Sequence, residues 1–131
     1  MLEFWLISAA SDLHRLACQS GSWAIAASGI ASAGDYSAPG IVSFTTNRPV
    51  VLIVSGDVWR SPIGAMNEGI IGLLVNGSVC AFDRSIEGLG TNAHSSASCV
   101  RYLAAGTHSI AATDNSASWS SFKWSYAAIK M

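Results

Sequence analysis

Gly69-Ile-Ile-Gly-Leu-Leu-Val75, then Asn76-Gly77, then Ser78-Val-Cys-Ala-Phe82: this run decides the fold. Two apolar segments of strand length flank an Asn-Gly pair. A two-residue connection between antiparallel strands favours a type I′ turn, which needs positive φ at both positions, and Asn followed by Gly meets that need at least cost. The run is therefore read as a β-hairpin. The glycosylation sequon that overlaps it, Asn76-Gly-Ser78, is accounted for by the turn.

The pattern continues in both directions. Upstream, Ile41-Val-Ser-Phe-Thr-Thr46 is β-branched and alternating, and Asn47-Arg-Pro49 ends it because proline cannot donate to a ladder. Val50–Val54 is continuously apolar, as a strand buried on both faces would be. It runs through Ser55-Gly-Asp57 to Val58 and Trp59, and Gly56 predicts a bulge or bend. Arg60–Glu68, with Pro62 and Gly64, reads as a loop. Downstream, Asp83–Ser98 is polar and rich in Gly, Ser and Asn, and reads as a long surface loop of the kind that carries function. Cys99–Leu103, a turn at Ala104–Thr107 and His108–Ala112 form a second hairpin-like unit. Trp119–Ile129 places Phe122, Trp124 and Tyr126 on one face and Lys123 and Ser125 on the other, which predicts a long central strand.

The first forty residues are less regular. Leu2–Ile7 and Trp23–Ala27 read as strands, Ser11–Cys18 as a short helix capped by Ser11, and Gly29–Gly40 as a small-residue stretch ending in a turn. The expected architecture is all-β: a jelly-roll-type β-sandwich of about eight short antiparallel strands over residues 41–131. An irregular N-terminal arm, residues 1–40, packs on it or on a neighbouring subunit. An immunoglobulin-like sandwich is the alternative, but its Cys…Trp…Cys spacing is absent.

A chain of 131 residues supplies one domain. Half of it is hydrophobic and only 11% is charged, against about 25% in an ordinary domain. Ser, Ala, Gly and Thr fill the difference, giving a surface that is cheap to desolvate and suited to burial against other subunits. The net charge is −1 and the basic residues are scattered singly, so nucleic-acid binding is not expected. The longest apolar runs, Val50–Val54 and Ile70–Val75, are far short of a membrane-spanning helix. Glu3 precedes the first basic residue, Arg15, the reverse of a signal peptide, so no targeting segment is expected. Cys18, Cys80 and Cys99 lie in no C-x-x-C, and His14, His94 and His108 add no ligand spacing, so no metal or cofactor is expected. Buried free thiols are the expected state, with a Cys80–Cys99 disulfide as the alternative.

Catalysis finds little support. No G-x-S-x-G elbow is present, and Asp12, Asp35, Asp57, Asp83 and Asp114 mostly sit beside Gly, Ser or Asn, where Asp serves as a turn former. Glu68 and Glu87 lie apart, and Gly88-Leu-Gly90 lacks the lysine and helix of a phosphate cradle. The chain is expected not to be an enzyme. His108, at the start of a strand, reads as a packed structural histidine, with a pH-sensitive interface role as the sharper alternative. The tryptophans carry the binding argument, because indoles stack on sugars and anchor interfaces. Trp124 belongs to the core face; Trp59, beside Arg60 and a Pro/Gly loop, is expected to be exposed. Trp59, Arg60 and Asn67 are thus candidate binding residues, joined by Asn92 and His94 from the polar loop.

The segment from Val75-Asn-Gly77 through Thr91-Asn-Ala-His94 to Tyr102-Leu-Ala-Ala-Gly-Thr-His-Ser-Ile110, closed by Phe122-Lys-Trp-Ser-Tyr126, resembles the jelly-roll modules of tailed-bacteriophage virion proteins. These are capsid decoration (cement) proteins and tail-fibre heads with tumour-necrosis-factor-like or C1q-like folds. The resemblance covers residues 41–131; Asn76 stands where Asp is usual before the turn glycine. It implies a homo-oligomer, often a homotrimer, on a virion assembled in the host cytoplasm. As a cement protein the subunit would clamp the major capsid protein; as a tail-fibre tip it would hold a host glycan or protein. No fibrous shaft or repeat is present, which favours decoration. A bacterial carbohydrate-binding, lectin-like module is the third expectation.

Overall fold

The Asn76-Gly77 pair turns the chain as expected: φ is 51° at Asn76 and 82° at Gly77, the signs a type I′ turn demands. The turn joins β6 (Met66–Val75) to β7 (Ser78–Gly88). The computed structural model describes residues 16–19, 22–25, 29–61, 66–88, 90–114 and 120–131. The remaining strands are β1 (Leu16–Gln19), β2 (Ser22–Ile25), β3 (Ile30–Tyr36), β4 (Gly40–Thr46), β5 (Val50–Arg60), β8 (Ala93–Leu103), β9 (Gly106–Thr113) and β10 (Ser121–Lys130). β1 and β2 form a small hairpin; the other eight make two four-stranded sheets of order β3-β10-β5-β8 and β4-β9-β6-β7. All pairings among the described residues are antiparallel, and from β3 to β10 successive strands alternate between the two sheets except at the β6–β7 hairpin. This is a jelly-roll β-sandwich.

The core lies between the sheets because each strand aims every second side chain inward. Leu52, Val54 and Val58 of β5 and Phe122, Trp124 and Tyr126 of β10 meet Ile71, Leu73 and Val75 of β6, Ile110 of β9 and Phe44 of β4. β10 is central to its sheet, as its alternation predicts. Tyr36 stacks on Trp124 with ring centroids 4.5 Å apart, and the Trp124 indole N–H donates to Ala38 O at 2.9 Å, holding the end of β3 against the core.

Several expectations are corrected. Residues 16–18, read as the end of a helix, are in strand β1, where Leu16 is in register with Ile25 and Cys18 with Trp23; the antiparallel backbone ladder overrides the local helical reading. Leu2–Ile7 and the proposed cap Ser11 lie outside the described residues. Gly56 is not a bulge: β5 keeps unbroken register with both β10 and β8. A Cβ there would lie 2.6 Å from Ile71 Cδ1 and 3.1 Å from Trp124 Cβ, so glycine lets the sheets close. Asp83–Ser98 is mostly strand, not loop; β7 continues to Gly88 and β8 starts at Ala93. Its polar residues alternate in exposure at the margin of the sandwich, where apolar inward positions are not required. Likewise β6 begins at Met66, inside the stretch read as a loop. Regular pairing starts upstream of the Ile41 boundary: β3, within the stretch read as an arm, bonds to β10. Its small residues hid it.

The cysteines are the largest correction. Cys80 and Cys99 are joined in a disulfide, with Cα atoms 6.0 Å apart, rather than being free thiols. The register explains how Cys80 reaches inward. Leu73 pairs with Ala81 and Leu74 with Val79, so Cys80 is the extra residue of a bulge. The bulge leaves both Cys80 and Ala81 partly buried and lets Cys80 bridge to β8 in the opposite sheet.

Candidate functional site

The outward side of the β3-β10-β5-β8 sheet is divided into two halves by its own registers. In the first, β8, β5, β10 and β3 contribute the row Tyr102, Val51, Ile129, Ile30 and the next row Val100, Ile53, Ala127, Ala33. Tyr102 is 65% exposed and Val100 50%, with Ile53 and Ile30 also exposed, while Val51 and Ile129 between them are buried. Strand alternation forces this result: burying Leu52, Val54 and Ala128 inside obliges Val51, Ile53 and Ile129 to face out.

The second half is polar. Ser98, Ser55 and Ser125 form one row with Asp35, and Ser96, Asp57 and Lys123 the next. Together with Tyr36, Trp124 and Gly56 they line a depression of about 770 Å³. The Ser55 and Ser125 hydroxyls are 3.4 Å apart. One row further on, Trp59 pairs with His94 across β5 and β8. His94 Nε2 is hydrogen-bonded to Asp57 Oδ1, and both side chains are largely exposed. Hydroxyls, two carboxylates and an ammonium thus offer donors and acceptors at strand spacing, with an exposed indole beside them.

The five residues singled out from the sequence separate here. Trp59 and His94 come together as cross-strand neighbours on the outward face. Arg60, next in the strand, turns inward, and its guanidinium Nη1 donates to Glu68 O at 3.1 Å. Asn67 is fully buried; its amide donates to Gly88 O and Thr91 O, each at 3.2 Å, and so holds the corner between β7 and β8. Asn67 therefore serves the fold and offers no contact surface. Asn92 is exposed in that corner. Sequence reasoning missed Asp57 and Lys123. Asp57 was read as a turn former beside Gly56, yet the period of two through Ser55, Asp57 and Trp59 would have placed all three on one face.

His108 occupies a structural position. Its Nε2–H donates to Ala104 O at 2.8 Å, Nδ1 accepts from the Asn76 amide at 3.0 Å, and its ring lies against Phe44. Among the described residues there is no group of three or more metal-ligating side chains, and no helix is long and apolar enough to cross a membrane.

No family model matches the chain, and no curated protein matches it. Solved structures do. A β-glucosidase from Paenibacillus barengoltzii is 12% identical over 72% of this chain, with a TM-score of 0.47, and this chain spans 10% of that enzyme's length. The globular domain of zebrafish complement 1qA is 10% identical, covering 68% of each chain, at a TM-score of 0.47. The Eiger TNF of S. frugiperda is 11% identical over 71% of this chain and 68% of its own, at 0.43. At such identities the likenesses are silent on activity.

Proposed function

We propose that this chain is a non-catalytic assembly subunit that self-associates through the apolar half of the outward β3-β10-β5-β8 face. The observation that carries the reading is the contiguous patch of Tyr102, Val100, Ile53 and Ile30, open to solvent in a chain with few charges. Patches of this kind mark interaction sites, and burying this one would desolvate no charged group. The resemblance to phage jelly-roll modules supplies the specific form: a homo-oligomer, often trimeric, that decorates a virion and clamps the major capsid protein. A disulfide suits a particle that persists outside the reducing cytosol. Tail-fibre attachment is the variant in which the loops, rather than the faces, meet the partner.

The test is native mass. Tyr102→Asp or Val100→Asp should convert an oligomer into smaller species at unchanged secondary structure, read by sedimentation. An oligomer whose mass is unchanged by both substitutions defeats the reading. For the cement role, wild-type protein should saturate on expanded capsids and raise their thermal resistance.

The polar depression favours a second reading, a lectin-like module. Asp57, Asp35, Lys123 and the serine rows match the hydroxyls of a sugar, and Trp59 offers a stacking face. Specific glycan-array binding weakened at least about tenfold by Trp59→Ala or Asp57→Ala, the loss of roughly 1.4 kcal/mol, would support it; array-wide silence would remove it.

A further inference from the structure

The two long sides of the sandwich are finished differently. On the β7/β8 side the strand edges are closed against each other. The Cys80–Cys99 disulfide joins them, Asp83 Oδ2 accepts from Ser96 N at 3.0 Å, and the Arg101 guanidinium donates to Val79 O at 3.5 Å. The other side ends in β3 and β4. β3 carries Asp35 and a register shift against β10, two devices that discourage pairing with a further strand. β4, Gly40-Ile-Val-Ser-Phe-Thr-Thr46, has neither. It pairs with β9 in unbroken register over its full length, holds no charged residue and no proline, and among the described residues has no neighbour on its outer edge. Ile41, at 69% exposure, is the most exposed large apolar side chain of the described residues.

We infer that the outer edge of β4 pairs antiparallel with the same edge of a second copy, about a two-fold axis through Ser43. The sequence of the strand is what selects this occupant. Antiparallel self-pairing about Ser43 sets Ile41 opposite the partner's Thr45 on the solvent side and Val42 opposite the partner's Phe44 on the core side. Val42–Phe44 sets a β-branched side chain against an aromatic one, Ile41–Thr45 two β-branched ones, and no charge is desolvated or repelled. Val42 and Phe44 already pack at the core layer, which would continue across the junction. The contact is isologous, so it closes at two copies. It joins two β4-β9-β6-β7 sheets into one of eight strands. This contact uses the opposite sheet from the face proposed above for self-association, so the two can coexist.

The test keeps the whole chain and removes the other interface first. Tyr102→Asp protein, or Val100→Asp should the first fold poorly, should show a monomer–dimer equilibrium by sedimentation over a wide concentration range. Adding Ser43→Lys or Ser43→Asp, at an exposed position, should weaken that dimer at least about tenfold because like charges then face each other across the axis. Mixing the Lys and Asp chains should restore a heterodimer. A Tyr102→Asp chain that stays monomeric, because a segment of its own chain or nothing at all covers β4, overturns the inference. So does a dimer indifferent to Ser43→Lys, which would place the contact elsewhere. Failure of the face reading is seen separately, as wild-type mass unchanged by Tyr102→Asp.

Discussion

Tyr36 shows how one side chain ties the edge of the sandwich to its core. Its ring stacks on Trp124 and lies 6.4 Å from that of Tyr126, whose hydroxyl is shared with Ser32. Burial raises the Tyr36 pKa above 10.0, with further contributions from Tyr126 and the nearby Asp35 carboxylate. The neutral phenol is thus the form the folded chain prefers. The stability linked to it is fully present below pH 10.0 and is lost as pH rises through the higher folded value. Alkaline titration of tyrosinate absorbance should show a late-ionising residue, and Tyr36→Phe should abolish that phase and shift the onset of alkaline unfolding. Gly56 makes the complementary point about legibility. The sequence marked it as special, but a bulge and a close approach of sheets ask for the same residue, and only the proximity of Ile71 distinguishes them.

At the scale of elements, the β6–β7 hairpin is stabilised by more than its turn. Asn76 N donates to Ser109 O, the Asn76 side-chain oxygen accepts from Ser109 N, each at 2.9 Å, and its amide reaches His108. The turn is therefore clamped to the middle of β9. Asn76→Ala should cost about 2–3 kcal/mol, combining a left-handed backbone penalty of about 1–2 kcal/mol with lost side-chain bonds of about 1 kcal/mol. Asn76→Gly should cost less, because it keeps the backbone geometry. Denaturant midpoints at constant slope would measure both. The hairpin was legible because Asn-Gly between apolar runs has one economical solution. β7 beyond Phe82 and the start of β8 were not, because Asp83, Ser85, Ser95 and Ser96 mimic a loop. Two of them bond outside their own strands: the Ser95 hydroxyl donates to Gly69 O at 2.7 Å, and Asp83 Oδ2 accepts from Ser96 N at 3.0 Å. Likewise Val100 and Tyr102 were recognisable as strand residues, but their outward direction depended on the disulfide and core partners of their neighbours.

For the molecule as a whole, the sheets are joined by the shared core and by one covalent bond. The disulfide spans 19 positions in sequence, a loop whose closure stabilises by about 3 kcal/mol in the chain-entropy account. Denaturant unfolding with and without reductant, alongside the Cys80→Ser/Cys99→Ser chain, should show a loss of that order; an equal midpoint under all three conditions would mean the bond contributes nothing. The same link has a mechanical consequence. Tension applied to the chain ends would bypass the segment between Cys80 and Cys99, withholding about 65 Å of contour from extension. Stretching could then lengthen the unfolded molecule only by the remainder, and the β7–β8 corner around Asn92 would keep its tether even after the surrounding sheets had been pulled apart.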